Sequence, residues 1–182
     1  MNRKLAHMLL YVAEMVEGDP RAGKTKLHKI LFFSDFEAFR RTGKSISGEQ
    51  YLKYERGPFL KSLDSTVNKM SNAGLATWAP PNELKEIRLI PRVKADASIL
   101  TEVERQILNS NVKRFWGISA DGVSNLSHRL FGWQTTPNGQ EIPYNSAYVG
   151  DPRPLDSTET AWARDLIGRY REWKRQKQEY CP

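Results

Sequence analysis

Between Lys24 and Arg41 the sequence sets Leu27, Ile30, Leu31, Phe32, Phe33, Phe36 and Phe39 in one uninterrupted stretch of helical character. With about 3.6 residues per turn, these side chains cover far more than the single stripe of a surface helix. A helix here has to be covered on most of its sides by the rest of the chain. At 182 residues the chain is long enough for one domain with a sizeable core and too short for two ordinary ones. The remaining elements are therefore expected to wrap this helix.

Leu5, Met8, Leu9, Val12, Met15 and Val16 recur at helical spacing, and Gly18, Asp19 and Pro20 supply stop and turn chemistry. After Gly43, β-favouring Tyr51 and Tyr54 precede a Gly57-Pro58 pair. This reads as a short strand, a rigid corner at Gly57-Pro58, and a helix bearing Leu60, Leu63, Val67 and Met70. Gly74 ends that helix, and the stretch from Leu75 to Pro91 reads as a β-hairpin with Pro80, Pro81 and Asn82 at its tip. Helix, short strand, helix and hairpin follow a winged-helix-like order. Thr101 with Glu104 forms a capping box for a helix carrying Leu108, Val112 and Phe115, closed by Gly117. Ser119 caps another, with Val123, Leu126 and Leu130. The Pro-, Gly- and aromatic-rich segment from Trp133 to Pro154 is expected to be an ordered loop wrapping the core. A last helix from Ser157 places Trp162, Leu166, Tyr170 and Trp173 on one face. The fold class is α+β, mainly helical. Residues 1–150 form the principal domain, and 151–182 form a helical extension packed on it.

Composition and motifs narrow the function. No apolar run reaches the roughly 20 residues that span a bilayer, and Glu14 and Glu17 interrupt the start where a signal peptide is apolar, so a cytoplasmic, membrane-free protein is expected. The single Cys181 supplies neither an internal disulfide nor a thiolate metal site. A net charge of +7 favours acidic partners, whether nucleic acid or protein. Gly18 to Thr25 matches the P-loop expression G-x-x-x-x-G-K-[ST]. A phosphate-cradling loop leaves a buried strand, however, and the residues before Gly18 are helical in period, so the segment is expected to join two helices. His7, His28 and His128 lack a ligand partner at helical spacing, and no nucleophile elbow is present. These features lead to the expectation of a non-enzymatic protein with no cofactor and no metal.

Three segments, in order, resemble the Panacea domain, a family of antitoxins that includes SocA-like proteins. The first is KTKLHKILFFSDFEAFRRTGKSISGEQYLKYERGPF, the second LTEVERQILNSNVKRFWGISADGVSNLSH, and the third GWQTTPNGQEIPY. They are similar to the family's Lys-Leu-x-Lys helix with its Gly-Pro corner, its capped helix ending in Leu-Ser-His, and its Trp-to-Ile-Pro-Tyr tail. The resemblance covers about residues 4–149, most of the chain. Arg56 stands where the family usually has Tyr before Gly-Pro, with Tyr54 two residues earlier. The positions carried over are Gly57, Pro58, His128 and Trp133, and the last two are expected to tie a helix end to the wrapping loop.

The resemblance implies an antitoxin that neutralises a cognate toxin by direct binding, the toxin being encoded by an adjacent gene. Candidate anchors on the partner are whichever of Tyr51, Tyr54, Trp78, Tyr144, Tyr148 and Trp173 are exposed. Two alternatives stay open. One is a DNA-binding autorepressor using Lys53, Arg56, Lys61, Lys69, Arg88 and Arg92. The other is an adaptor that delivers the toxin to a protease.

Overall fold

Helix α2, Lys24–Thr42, is buried at every position from Lys26 to Phe36: its wide apolar face calls for cover on most sides, and Lys26, His28, Lys29, Ser34 and Asp35 are buried along with it. In the computed structural model, which describes residues 1–149 and 157–179, other elements close around it. Helix α1 is Arg3–Met15, with Asn2 as its N-cap. Hairpin β1 (Tyr51–Tyr54) and β2 (Gly57–Leu60) is followed by α3, Leu63–Asn72, and by a second hairpin, β3 (Ala76–Trp78) and β4 (Leu89–Pro91). Then come α4 (Glu102–Phe115), α5 (Ala120–His128), the short α6 (Phe131–Thr135) and a 3₁₀ turn, Tyr144–Tyr148. Helix α2 touches α4, α5, β2 and the 3₁₀ turn. Phe32, Leu31, Leu60, Leu63 and Phe115 are among the side chains sealed from solvent, and each stabilises the fold by about 1.5–3 kcal/mol relative to exposure. The fold is α+β, mainly helical, with two small antiparallel sheets of two strands each among the described residues.

The region around Gly57 corrects the expected strand, corner and helix. The chain turns at Glu55 and Arg56 instead, and Gly57-Pro58 opens a second strand with Tyr54 opposite Gly57 and Lys53 opposite Pro58. Proline is tolerated there because the ladder asks no donor of it. Lys53 gives its own N–H away from β2, to the Gln140 carbonyl at 2.9 Å. The helix read from Leu60 begins at Leu63, while Leu60 itself is a core residue of β2.

Other local readings match. Thr101 and Glu104 form both halves of the capping box, Ser119 caps α5 through the Gly122 N–H at 3.1 Å, and Gly117 takes a φ of 71°. The helix expected to run through Leu130 stops at His128, and Leu130 becomes the N-cap residue of α6. The segment after α6 wraps the core as an added edge on β1: Gly139 N–H reaches the Lys53 carbonyl and Ile142 N–H the Tyr51 carbonyl, both at 2.8 Å.

Two compact units divide the chain, Met1–Asp151 and Pro152–Pro182. The second contains α7, Ser157–Glu179, on which Trp162, Leu166, Tyr170 and Trp173 are exposed. Cys181 lies outside the described residues, as does most of the chain joining α7 to the first unit. No helix among the described residues is long and apolar enough to cross a membrane.

Candidate functional site

Lys29 sits in the middle of α2 with 3% of its surface exposed. Its ammonium donates to the Pro58 carbonyl at 2.9 Å, and burial lowers its pKa to about 8. It forms no ion pair with another described residue, so a main-chain oxygen on the hairpin is what receives this buried charge. One residue earlier, His28 Nδ1 accepts the Leu60 N–H at 2.9 Å while its ring stacks on Phe59 with centroids 4.4 Å apart. Burial, then the charges of Lys29 and Lys24, push the His28 pKa down to about 3. The ring is neutral at physiological pH and serves as an acceptor.

Gly57 closes the other side of this clamp. Its φ is 92°, and a Cβ there would stand 2.5 Å from Ser127 Oγ and 2.8 Å from Lys29 Cε. The backbone of β2 therefore lies directly on α2 and α5, an approach only glycine permits. Ser124 Oγ donates to the Arg56 carbonyl at 2.9 Å, tying the turn to α5, while Ser127 Oγ donates within α5 to the Ser124 carbonyl at 2.6 Å. His128 stacks on Trp133 with centroids 4.0 Å apart, and Trp133 Nε1 donates to the Tyr54 carbonyl at 3.3 Å. Lys53 Nζ lies 4.4 Å from the centroid of the same indole. Burial and then the Lys29 charge lower the His128 pKa, and a hydrogen bond to the Glu55 backbone works against that shift. The expected ring packing of His128 and Trp133 is thus present, and it ties the end of α5 to the hairpin as well as to α6.

Two further polar clusters are buried. Asp35 accepts from Ser47 N–H at 2.8 Å, Ser47 Oγ at 2.5 Å and Tyr51 Oη at 2.6 Å, and desolvation raises its pKa against these bonds. Asp19 pairs with Lys26 at 2.6 Å, with both side chains sealed from solvent. The same carboxylate accepts from Arg21 N–H and Gly117 N–H. Asp19 thus ties the start of the P-loop-like segment to Lys26 just beyond its end, and the segment joins α1 to α2 as its helical flanks imply. Lys24, the lysine of that motif, pairs with Asp64 at 2.5 Å.

The candidate anchors separate by exposure. Tyr51 is 1% exposed and fixed on Asp35, so it is a core residue and is withdrawn as an anchor. Tyr144 is half-buried, stacked on Phe36 and Phe39, with its hydroxyl on the Glu49 carbonyl. Trp78 is also half-buried, with Lys24 Nζ 5.5 Å from its ring centroid. Tyr54, Tyr148 and Trp173 are exposed. Of the basic residues, Arg88 donates to the Val16 and Glu17 carbonyls at the end of α1, and Lys53 is held on Trp133. Arg56, Lys61, Lys69 and Arg92 are exposed. No group of three or more potential metal ligands occurs among the described residues.

This geometry defines a class, a mainly helical α+β domain whose central helix is clamped by a hairpin through buried polar ties. The sequence pattern of the SocA-like antitoxins, Panacea domain, matches residues 27–134, and the chain belongs to that family. No curated protein and no solved structure matches the chain. The matched stretch contains the whole clamp: His28, Lys29, Gly57, Pro58, Ser127, His128 and Trp133. Membership supports a general antitoxin role. Lys29 and Ser127 were not picked out individually from the sequence. The available signal was a lysine set between His28 and Ile30 in a helix whose large apolar residues call for cover on most sides, so that its ammonium has to find a buried partner.

Proposed function

We propose that this protein is the antitoxin of a toxin–antitoxin pair and neutralises its toxin by direct binding rather than by chemistry. The observation that carries this reading is the match to an antitoxin family across the residues that build the clamp. The clamp residues chiefly make internal contacts, a scaffold's role, although the buried His128 Nε2 has no hydrogen-bond partner among the described residues, and recognition falls to exposed side chains such as Tyr54 and Tyr148. The extension 151–182, with its exposed rings on α7, is a second candidate for partner contact.

The test is co-expression with the product of the adjacent gene. Growth rescue together with a stable purified complex is the expected result. Absence of both, alongside tight binding to the operon's own promoter DNA, would transfer the assignment to an autorepressor using Arg56, Lys61, Lys69 and Arg92. Rescue that disappears in a protease-deficient host would identify a delivery adaptor instead.

A further inference from the structure

A groove of about 310 Å³ opens along α2 between α4 on one side and α6 with the 3₁₀ turn on the other. Phe33 and Phe36 form part of its floor, Phe131 and Tyr148 stand at its rim with 38% and 58% of their surfaces exposed, and Arg40 and Arg114 flank it. Large rings left in water around a concavity are atypical of a surface without a partner. The rim is built, not incidental. Gly132 of α6 lies so close to the 3₁₀ turn that a Cβ would stand 2.1 Å from Ser146 Oγ, and Tyr148 Oη reaches the Phe39 carbonyl at 3.4 Å.

Charge decides what fits. The Arg114 guanidinium lies 5.1 Å from the Phe33 ring centroid and 5.2 Å from that of Phe115, so the aromatic faces position it and leave its N–H groups for another acceptor. Neither Arg114 nor Arg40 forms an ion pair with another described residue. The one acid in the lining, Glu37, already receives Arg41 and Asn111. Arg40 and Arg114 are the basic residues of the lining, which falls short of the continuous basic track that a phosphate backbone needs.

We infer that this groove is a docking site for an acidic segment of the protein partner, with an apolar side chain seated on Phe33 and Phe36 and flanking carboxylates paired with Arg40 and Arg114. The assignment rests on the antitoxin reading and adds to it a location and a ligand chemistry. Aromatic and arginine side chains around a desolvated pocket are the residue types that dominate binding energy in protein interfaces.

The probe is the product of the adjacent gene, titrated by calorimetry into the full chain and into the double variant R40E/R114E. Both side chains are exposed, but charge reversal removes the Arg114 ring contacts and takes a cation from the last turn of α2 and of α4, so a modest fall in melting temperature is expected, with an unchanged circular dichroism spectrum showing that the variant folds. A control variant, K69E/R92E, makes the same charge change on basic residues outside the groove. The expected result is a loss of about 100-fold or more in affinity for R40E/R114E, little change for the control, and recovery when an acidic residue of the partner is changed to lysine. A complex formed equally well by the double variant overturns the groove assignment and leaves the antitoxin reading standing. No complex with the parent chain overturns both. Loss of single-stranded oligothymidine binding in the double variant, with the protein complex intact, would reassign the groove to nucleic acid.

Discussion

Gly57 concentrates in one residue what this fold asks of its sequence. A methyl group there meets a positive φ, Ser127 Oγ and the Lys29 stem together, so Gly57→Ala is expected to cost about 2–4 kcal/mol in urea denaturation. His28 gives the protein an acid limb. Its folded pKa of about 3 lies below the 6.5 of an unfolded histidine, so between those values the unfolded chain binds the extra proton. Stability contributed by the neutral ring is present above pH 6.5 and is lost as pH falls toward 3, about 2 kcal/mol of it by pH 5. The lowered pKa of His128 acts in the same direction. Asp35 opposes them, because its raised pKa makes the folded state hold a proton that the unfolded chain releases just above pH 3.8. His28→Asn keeps an acceptor near the Leu60 N–H without a titrating group. Urea midpoints at pH 7 and pH 5 should therefore fall less for this variant than for the parent.

At the scale of elements, the α1–α2 turn depends on the sealed Asp19–Lys26 pair. Asp19→Ala strands a buried ammonium and is expected to lower stability by about 3–5 kcal/mol, whereas adding Lys26→Met should restore much of that loss, as measured by thermal melts of both variants. The turn also shows how far sequence reading reaches. Helices α1, α2 and α4 and the start of α5 were legible because their signals are local: the apolar spacing of α1, the wide apolar face of α2, the Thr101–Glu104 box, Ser119 at its cap. The β1–β2 hairpin was misread because what makes Gly57-Pro58 a strand lies far away in sequence. His28 claims the Leu60 N–H, Gln140 draws the Lys53 N–H away from Pro58, and Lys29 takes the Pro58 carbonyl. Of the proposed contact surface, Tyr148 was legible as an aromatic in an ordered loop. Arg40, Arg114 and Phe131 were not, because their convergence is a product of tertiary packing.

For the molecule as a whole, the net charge of +7 favours encounter with an acidic partner. Stopped-flow association with the adjacent gene's product should slow as ionic strength rises from about 0.01 to 0.15 M, where the screening length shrinks from about 30 to 8 Å, while dissociation changes little. A salt-independent association rate would count against electrostatic capture. The scaffold presenting that charge is tied at its hairpin through main-chain oxygens. Lys29 binds the carbonyl of Pro58, and Ser124 binds the carbonyl of Arg56. A carbonyl belongs to every amino acid, so these ties remain whichever exposed side chain stands at Glu55 or Arg56. Random mutation at those two positions should therefore leave the protein folded, so that new binding surfaces can be sampled in a lineage without each trial risking collapse of the domain.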